Sequence, residues 1–236
     1  MRSFKHIRAL HAGTVTMLDR WLGRLFEKFH DLGIWDDTAL ILTSDHGFYL
    51  GEHGLIGKHT VLEPKRGWPM YREITHIPFL VKAPGIKGGR RCPALVQLVD
   101  LMPTLVELGG EEPPEGIHGR SLLPLLRGEA ERVRDIVVSS PLLPEDHETL
   151  VWSAVTDGEW CLQDPGPLAE PELHHLPLDP AQERNVFPDH PEVAQRLHRA
   201  YIRFLKEIGT KGGEDKVEGV EVTKDDGKAH HPEGHR

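Results

Sequence analysis

Apolar positions recur at three- and four-residue spacing near the start of the chain and in short β-type runs further on. Ile7, Leu10, Thr14, Met17, Leu18, Trp21, Leu22, Leu25, Phe26 and Phe29 fall on one helical face, with Asp19, Arg20, Arg24, Glu27 and Lys28 opposite. This pattern predicts a long amphipathic helix stopped by Gly33. His6, His11 and His30 read as solvated or packing side chains. Trp35-Asp36-Asp37 feeds a β-type run over 38–44, the helix-to-strand step of a layered α/β fold. A long loop is predicted over 45–76, then a strand over 77–83 turned by Pro84-Gly85. Gly88 to Arg91 reads as a basic hairpin tip. Asp100 reads as the cap of a short helix over 101–108 that ends at Gly109-Gly110.

The last third changes character. Residues 135–139, 151–156, 159–163 and 172–178 are short β-type runs, and Asp157-Gly158 is a hairpin signal. Residues 191–208 are amphipathic, with Val193, Leu197, Tyr201, Phe204, Leu205 and Ile208 on one side. A small antiparallel sheet plus a helix is expected over 129–208, after an α/β region over 1–128. From Gly209 the chain is polar and lacks aromatic residues, so 209–236 reads as a disordered tail with solvated histidines.

The chemistry concentrates after the first strand. Asp45 and His46 sit side by side at its carboxyl end, where open α/β sheets bind ligands. A carboxylate and an imidazole suit a divalent metal, and Lys58 brings a cation that can neutralise a tetrahedral anion. Taken alone, the pair also reads as a capping carboxylate beside a surface histidine. Glu52, His53 and His59 are secondary candidates, His53 as a loop-fixing group and His59 as a substrate contact. Lys65, Arg66, Trp68, Tyr71 and Arg72 read equally as a substrate wall or a solvated loop.

Composition narrows the classes. With 38% apolar residues and no run near the roughly 20 a spanning helix needs, no membrane span is expected. A net charge of −9 argues against nucleic acid and anionic membrane as partners. The first residues show no apolar signal region, and the two cysteines form no disulfide framework, so a cytoplasmic location is expected.

The run from Ser44 to His59, SDHGFYLGEHGLIGKH, resembles the metal-binding loop of the sulfatase family, in the alkaline phosphatase superfamily. Glu73 to Val81, Ala83-Pro84-Gly85, Leu98 to Thr104, Gly116 to Pro124 and Leu178-Asp179-Pro180 with Glu183 and Asn185 follow in the family's order. The resemblance implies a partial sulfatase-like layered α/β sheet over 1–128, corresponding to the C-terminal part of the catalytic domain, and a small C-terminal subdomain over 129–208. It implies Asp45 and His46 as ligands of a divalent metal, calcium or manganese, and Lys58 as the group that binds sulfate or stabilises the leaving oxygen. The family's formylglycine comes from Cys/Ser-x-Pro-x-Arg, which neither Cys92 nor Cys161 matches and which appears nowhere in this chain. The expected activity is hydrolysis of a sulfate ester on a small molecule or glycan, this chain forming one side of the site and being inactive alone. Phosphate or phosphonate monoesters are the alternative substrates. A non-catalytic chain that associates through an exposed sheet edge, or with an N-terminal half, is the reading from a different class.

Overall fold

The computed structural model describes residues 4–58, 69–141, 151–166 and 169–210. Helix α1 (Phe4–Asp31) stops at Gly33, whose φ of 68° suits the left-handed position that follows a helix. Phe26 meets Trp35 edge-on at 5.5 Å and His30 stacks on it at 4.3 Å, which sets the turn into β1 (Leu40–Thr43). The packing role read for His30 is therefore observed.

The stretch read as a long loop is built, and that reading is corrected. Strands β2 (Tyr49–Leu50) and β3 (Ile56–Gly57) pair around a 3-10 turn at Glu52–Gly54, and helix α2 (Arg72–Thr75) follows. Two-residue strands are too short to show alternation, so no period in the sequence marks them. Strand β4 (Phe79–Lys82) then pairs antiparallel with β1, Thr43 opposite Phe79 and Leu40 opposite Lys82.

The basic stretch after β4 is not a hairpin tip. Among the described residues no strand returns along β4 there; Arg90 instead donates to the Leu125 carbonyl of α4 (Leu123–Arg127). The capping role read for Asp100 is found one turn earlier than read. Its carboxylate accepts the Gln97 amide at 2.8 Å, a capping box on the 3-10 turn Leu98–Asp100 that runs into α3 (Leu101–Leu108), and its other oxygen takes the Arg120 amide at 2.8 Å and the Arg134 guanidinium. Asp100 is fully buried, so its charge needs that guanidinium.

Beyond Gly128 the chain forms a four-stranded antiparallel sheet in sequence order: β5 (Val137–Ser139), β6 (Ser153–Thr156), β7 (Trp160–Asp164) and β8 (Glu172–His175). The predicted hairpin joins β6 to β7, with Gly158 at φ 92° and the Asp157 carboxylate accepting the Glu159 and Trp160 amides. Helix α5 (Pro191–Glu207) lays Ala194, Leu197, Tyr201 and Leu205 on Val138, Val155, Leu162 and Leu173 of the sheet. The first region is less closed: no residue of α1 is buried, and Leu10, Met17, Leu18, Trp21 and Leu25 are exposed. No helix of the described residues is long and apolar enough to cross a membrane.

Candidate active site

Asp45 and His46 leave the end of β1 together, with the Ser44 hydroxyl donating to the His46 carbonyl at 2.6 Å. The next two residues are pinned to α2: Gly47 N–H donates to Ile74 O at 2.8 Å and Phe48 N–H to Glu73 O at 2.9 Å. The approach at Gly47 is so close that a Cβ would stand 1.7 Å from the Glu73 oxygen, so only glycine fits.

The hairpin explains how Lys58 returns. Tyr49 opposes Gly57 and Leu50 opposes Ile56, so the residue after Gly57 arrives beside the residues before Tyr49. Gly51 and Gly54, at φ 113° and 72°, close the turn, which Arg8 of α1 clamps by donating to Leu50 O at 2.9 Å and Glu52 at 3.0 Å. Burial works against the Glu52 charge, but the Leu50 amide and Arg8 outweigh it and hold the carboxyl below its usual range. Lys58 Nζ ends 2.8 Å from His46 Nε2.

The partners of the two ring nitrogens assign the His46 tautomer. His46 Nδ1 lies 2.8 Å from Gly47 O, a pure acceptor, so Nδ1 carries the proton. Nε2 faces the Lys58 ammonium, a pure donor, so Nε2 presents a lone pair. A metal-binding histidine is held this way, its second N–H donating to a backbone carbonyl. Asp45 Oδ2 lies 3.4 Å from the same Nε2, and 82% of the Asp45 side chain is exposed. The His46 amide first, and then the nearby Lys58 charge, hold the Asp45 carboxyl below its usual range despite slight burial. One carboxylate and one imidazole, once Lys58 releases Nε2, suit a hard or borderline divalent cation. Among the described residues no group of three metal-binding side chains forms, so further ligands would come from elsewhere. The corner opens on a cleft of about 1710 Å³ that Arg72, His76 and Gln182 also line.

His53 stacks on Tyr71 at 3.8 Å and faces Glu73 at 3.5 Å, a loop-fixing position. Tyr71 is buried and Arg72 half-buried, so neither is part of a freely solvated loop. His59, Lys65, Arg66 and Trp68 lie outside the described residues. Sequence reasoning missed Gln163, Glu172 and Gln182, polar side chains behind α2 whose partners are about a hundred positions away in sequence, and His174 between Glu172 and Asp179. No local pattern marks such pairs. Cys161 is buried, which pushes its thiol up to about 12, so it is no nucleophile at neutral pH.

Asp45, His46 and Lys58 thus meet at the end of a strand, in a mixed α/β region followed by a small antiparallel sheet with one helix. Residues 2–111 match the family model for sulfatases, which places this segment in that family. Arylsulfatase K of Rattus norvegicus is 32% identical over 212 residues, 86% of this chain and 36% of the relative. A structure solved with its substrate D-glucosamine-2-N,6-O-disulfate superposes with a TM-score of 0.72 at 26% identity, covering 86% of this chain and 41% of that one. The phosphonate monoester hydrolase of Silicibacter pomeroyi gives 0.65 at 29% identity over 84% of this chain and 40% of its own. The chain thus spans less than half the length of the proteins it matches.

Proposed function

We propose that this chain forms one side of the active site of a metal-dependent sulfuric ester hydrolase acting on a sulfated sugar. The observation that carries the reading is the convergence of Asp45, His46 and Lys58 at one strand end, with His46 Nε2 between the Asp45 carboxylate and the Lys58 amine. Asp45 and His46 hold a divalent cation, calcium or manganese by the hardness of their donors. When bound, that cation polarises the ester's oxygens. Lys58 shifts its ammonium from His46 to the sulfate, or to the oxygen that leaves, and stabilises the charge developing there. His59, next in sequence, is the nearest further candidate for substrate contact. The nucleophile comes from outside this chain, where the family's Cys/Ser-x-Pro-x-Arg motif is absent. The substrate class rests on relatives, one of them bound to a glucosamine disulfate.

A second reading, hydrolysis of a phosphate or phosphonate monoester, is favoured by the match to a phosphonate monoester hydrolase. The corner itself accepts either tetrahedral anion. The experiment supplies the N-terminal half of a sulfatase, with Cys-x-Pro-x-Arg, as a separate polypeptide. Turnover of 4-nitrophenyl sulfate and 4-nitrophenyl phosphate is then measured with and without it. We expect no turnover by the chain alone and preferential sulfate turnover in the mixture. Lys58→Ala is expected to lower that turnover by about 10²–10³ at unchanged metal content, the usual cost of one electrostatic stabiliser. Asp45→Ala is expected to lower metal content itself. Metal content unchanged in Asp45→Ala sinks the site assignment, and faster phosphate turnover selects the second reading.

A further inference from the structure

Met70 and Tyr71, just before α2, and Arg72, its first residue, are each held by the C-terminal sheet or the turn that follows it. Met70 exchanges two hydrogen bonds with Gln163 of β7, donating its N–H to Oε1 at 2.9 Å and accepting from Nε2 at 3.0 Å. The Tyr71 hydroxyl donates to Glu172 of β8 at 2.7 Å. Arg72 donates its backbone N–H to Gln182 at 2.8 Å and its guanidinium to Pro180 O at 2.7 Å. The two residues after them, Glu73 and Ile74, supply the carbonyls that pin Phe48 and Gly47 beside the metal corner.

The anchorage behind Tyr71 is buried and charged. His174, 1% exposed, stands between two carboxylates, Nε2 at 3.1 Å from Glu172 and Nδ1 at 3.4 Å from Asp179. Asp179 in turn accepts the Glu183 and Arg184 amides and so closes the turn that carries Pro180 and Gln182. Gln182, buried and at a left-handed φ of 54°, keeps a conformation that a freely adaptable surface turn would not select. On its other side Tyr71 meets the hairpin that returns Lys58: its N–H donates to Tyr49 Oη at 3.1 Å, and its ring stacks on His53.

We propose that Tyr71 and Glu172, backed by His174 and Asp179, are positioning residues: a strut through which the C-terminal sheet holds Asp45–His46 in register with Lys58. Neither touches the corner. Each acts through α2 and the β2–β3 hairpin, which meet at Tyr71. The proposal rests on the metal reading of the corner only for its functional consequence; the mechanical coupling stands on the hydrogen bonds themselves.

The test uses the full chain and two mild variants, Tyr71→Phe and Glu172→Gln. Amide hydrogen exchange of Gly47 and Phe48 is the deciding measurement. Each variant is expected to speed exchange at these two amides by about tenfold or more, as losing a hydrogen bond to a charged group does to a local opening. Amides of β6, β7 and α5 keep their rates, and the double variant is no faster than the faster single one, because both act through one bond. Unchanged Gly47 and Phe48, or equal acceleration across the sheet, overturns the strut. Mn²⁺ alone is then titrated by electron paramagnetic resonance, with Asp45→Ala as control. A several-fold weaker Mn²⁺ affinity in Glu172→Gln is expected. Equal Mn²⁺ binding by wild type and Asp45→Ala overturns the metal reading and leaves the exchange result to decide the strut.

Discussion

Gly47 shows how one residue sets the site. Its amide reaches Ile74 only because nothing stands between its α-carbon and the Glu73 carbonyl. Gly47→Ala is expected to push α2 and the corner apart, seen as loss of the Gly47 and Phe48 amide protection with the C-terminal sheet intact. Asp100 carries a different burden: it is an anion with no exposure, matched to Arg134, whose own guanidinium is largely removed from water. Burial lowers the Arg134 pKa and the Asp100 charge opposes that fall. Asp100→Ala would leave the guanidinium buried without a counter-charge. The expected loss is about 3–5 kcal/mol, the range for breaking a buried pair, read from urea unfolding.

At the scale of elements, β8 and the turn after it are coupled to pH. Burial disfavours the charge on Glu172, but hydrogen bonds from His174 and Tyr71 outweigh it and hold its carboxyl below the ordinary 4.5. Burial likewise opposes ionisation of Asp179, and the Arg184 and Glu183 amides, with His174, hold it below the ordinary 3.8. Both groups have lower pKa values folded than unfolded, so the unfolded chain takes up protons first on acidification. Their contribution is complete above pH 4.5 for Glu172 and 3.8 for Asp179, and is lost as pH falls through the folded values. Melting temperature is expected to drop on acidification through this window. Glu172→Gln should flatten the drop; an unaltered slope would show that Glu172 is not a source of it.

Across the whole molecule, apolar exposure is unevenly distributed. Among the described residues every large exposed apolar side chain lies between Phe4 and Leu105, except Leu178. The β1–β4 pair contributes Leu42 and Leu80 to that surface, and α1 adds Leu18 and Trp21. Patches of this kind mark surfaces that another protein segment covers. The chain on its own is expected to associate as its concentration rises, by light scattering, and to become monodisperse when a sulfatase N-terminal half is added. A monodisperse monomer at high concentration with a cooperative melt would count against this.

Much of the architecture could be read from spacing. The long first helix, the strand that delivers Asp45 and His46, the Asp157-Gly158 hairpin and the last helix each follow from local periodicity or turn chemistry. The family was legible for the same reason: its loop motif is a contiguous string from Ser44 to Lys58. What the tertiary structure alone decided depends on partners distant in sequence. The Nδ1–H tautomer of His46 follows from where Lys58 returns, and that return follows from a hairpin whose strands are too short to leave a period. Asp100 met Arg134, and Tyr71 met Glu172, because buried charges and hydroxyls must find partners wherever the fold brings them. Local spacing encodes which elements form; the satisfaction of buried polar groups, which only the folded chain can arrange, determines how those elements hold the site.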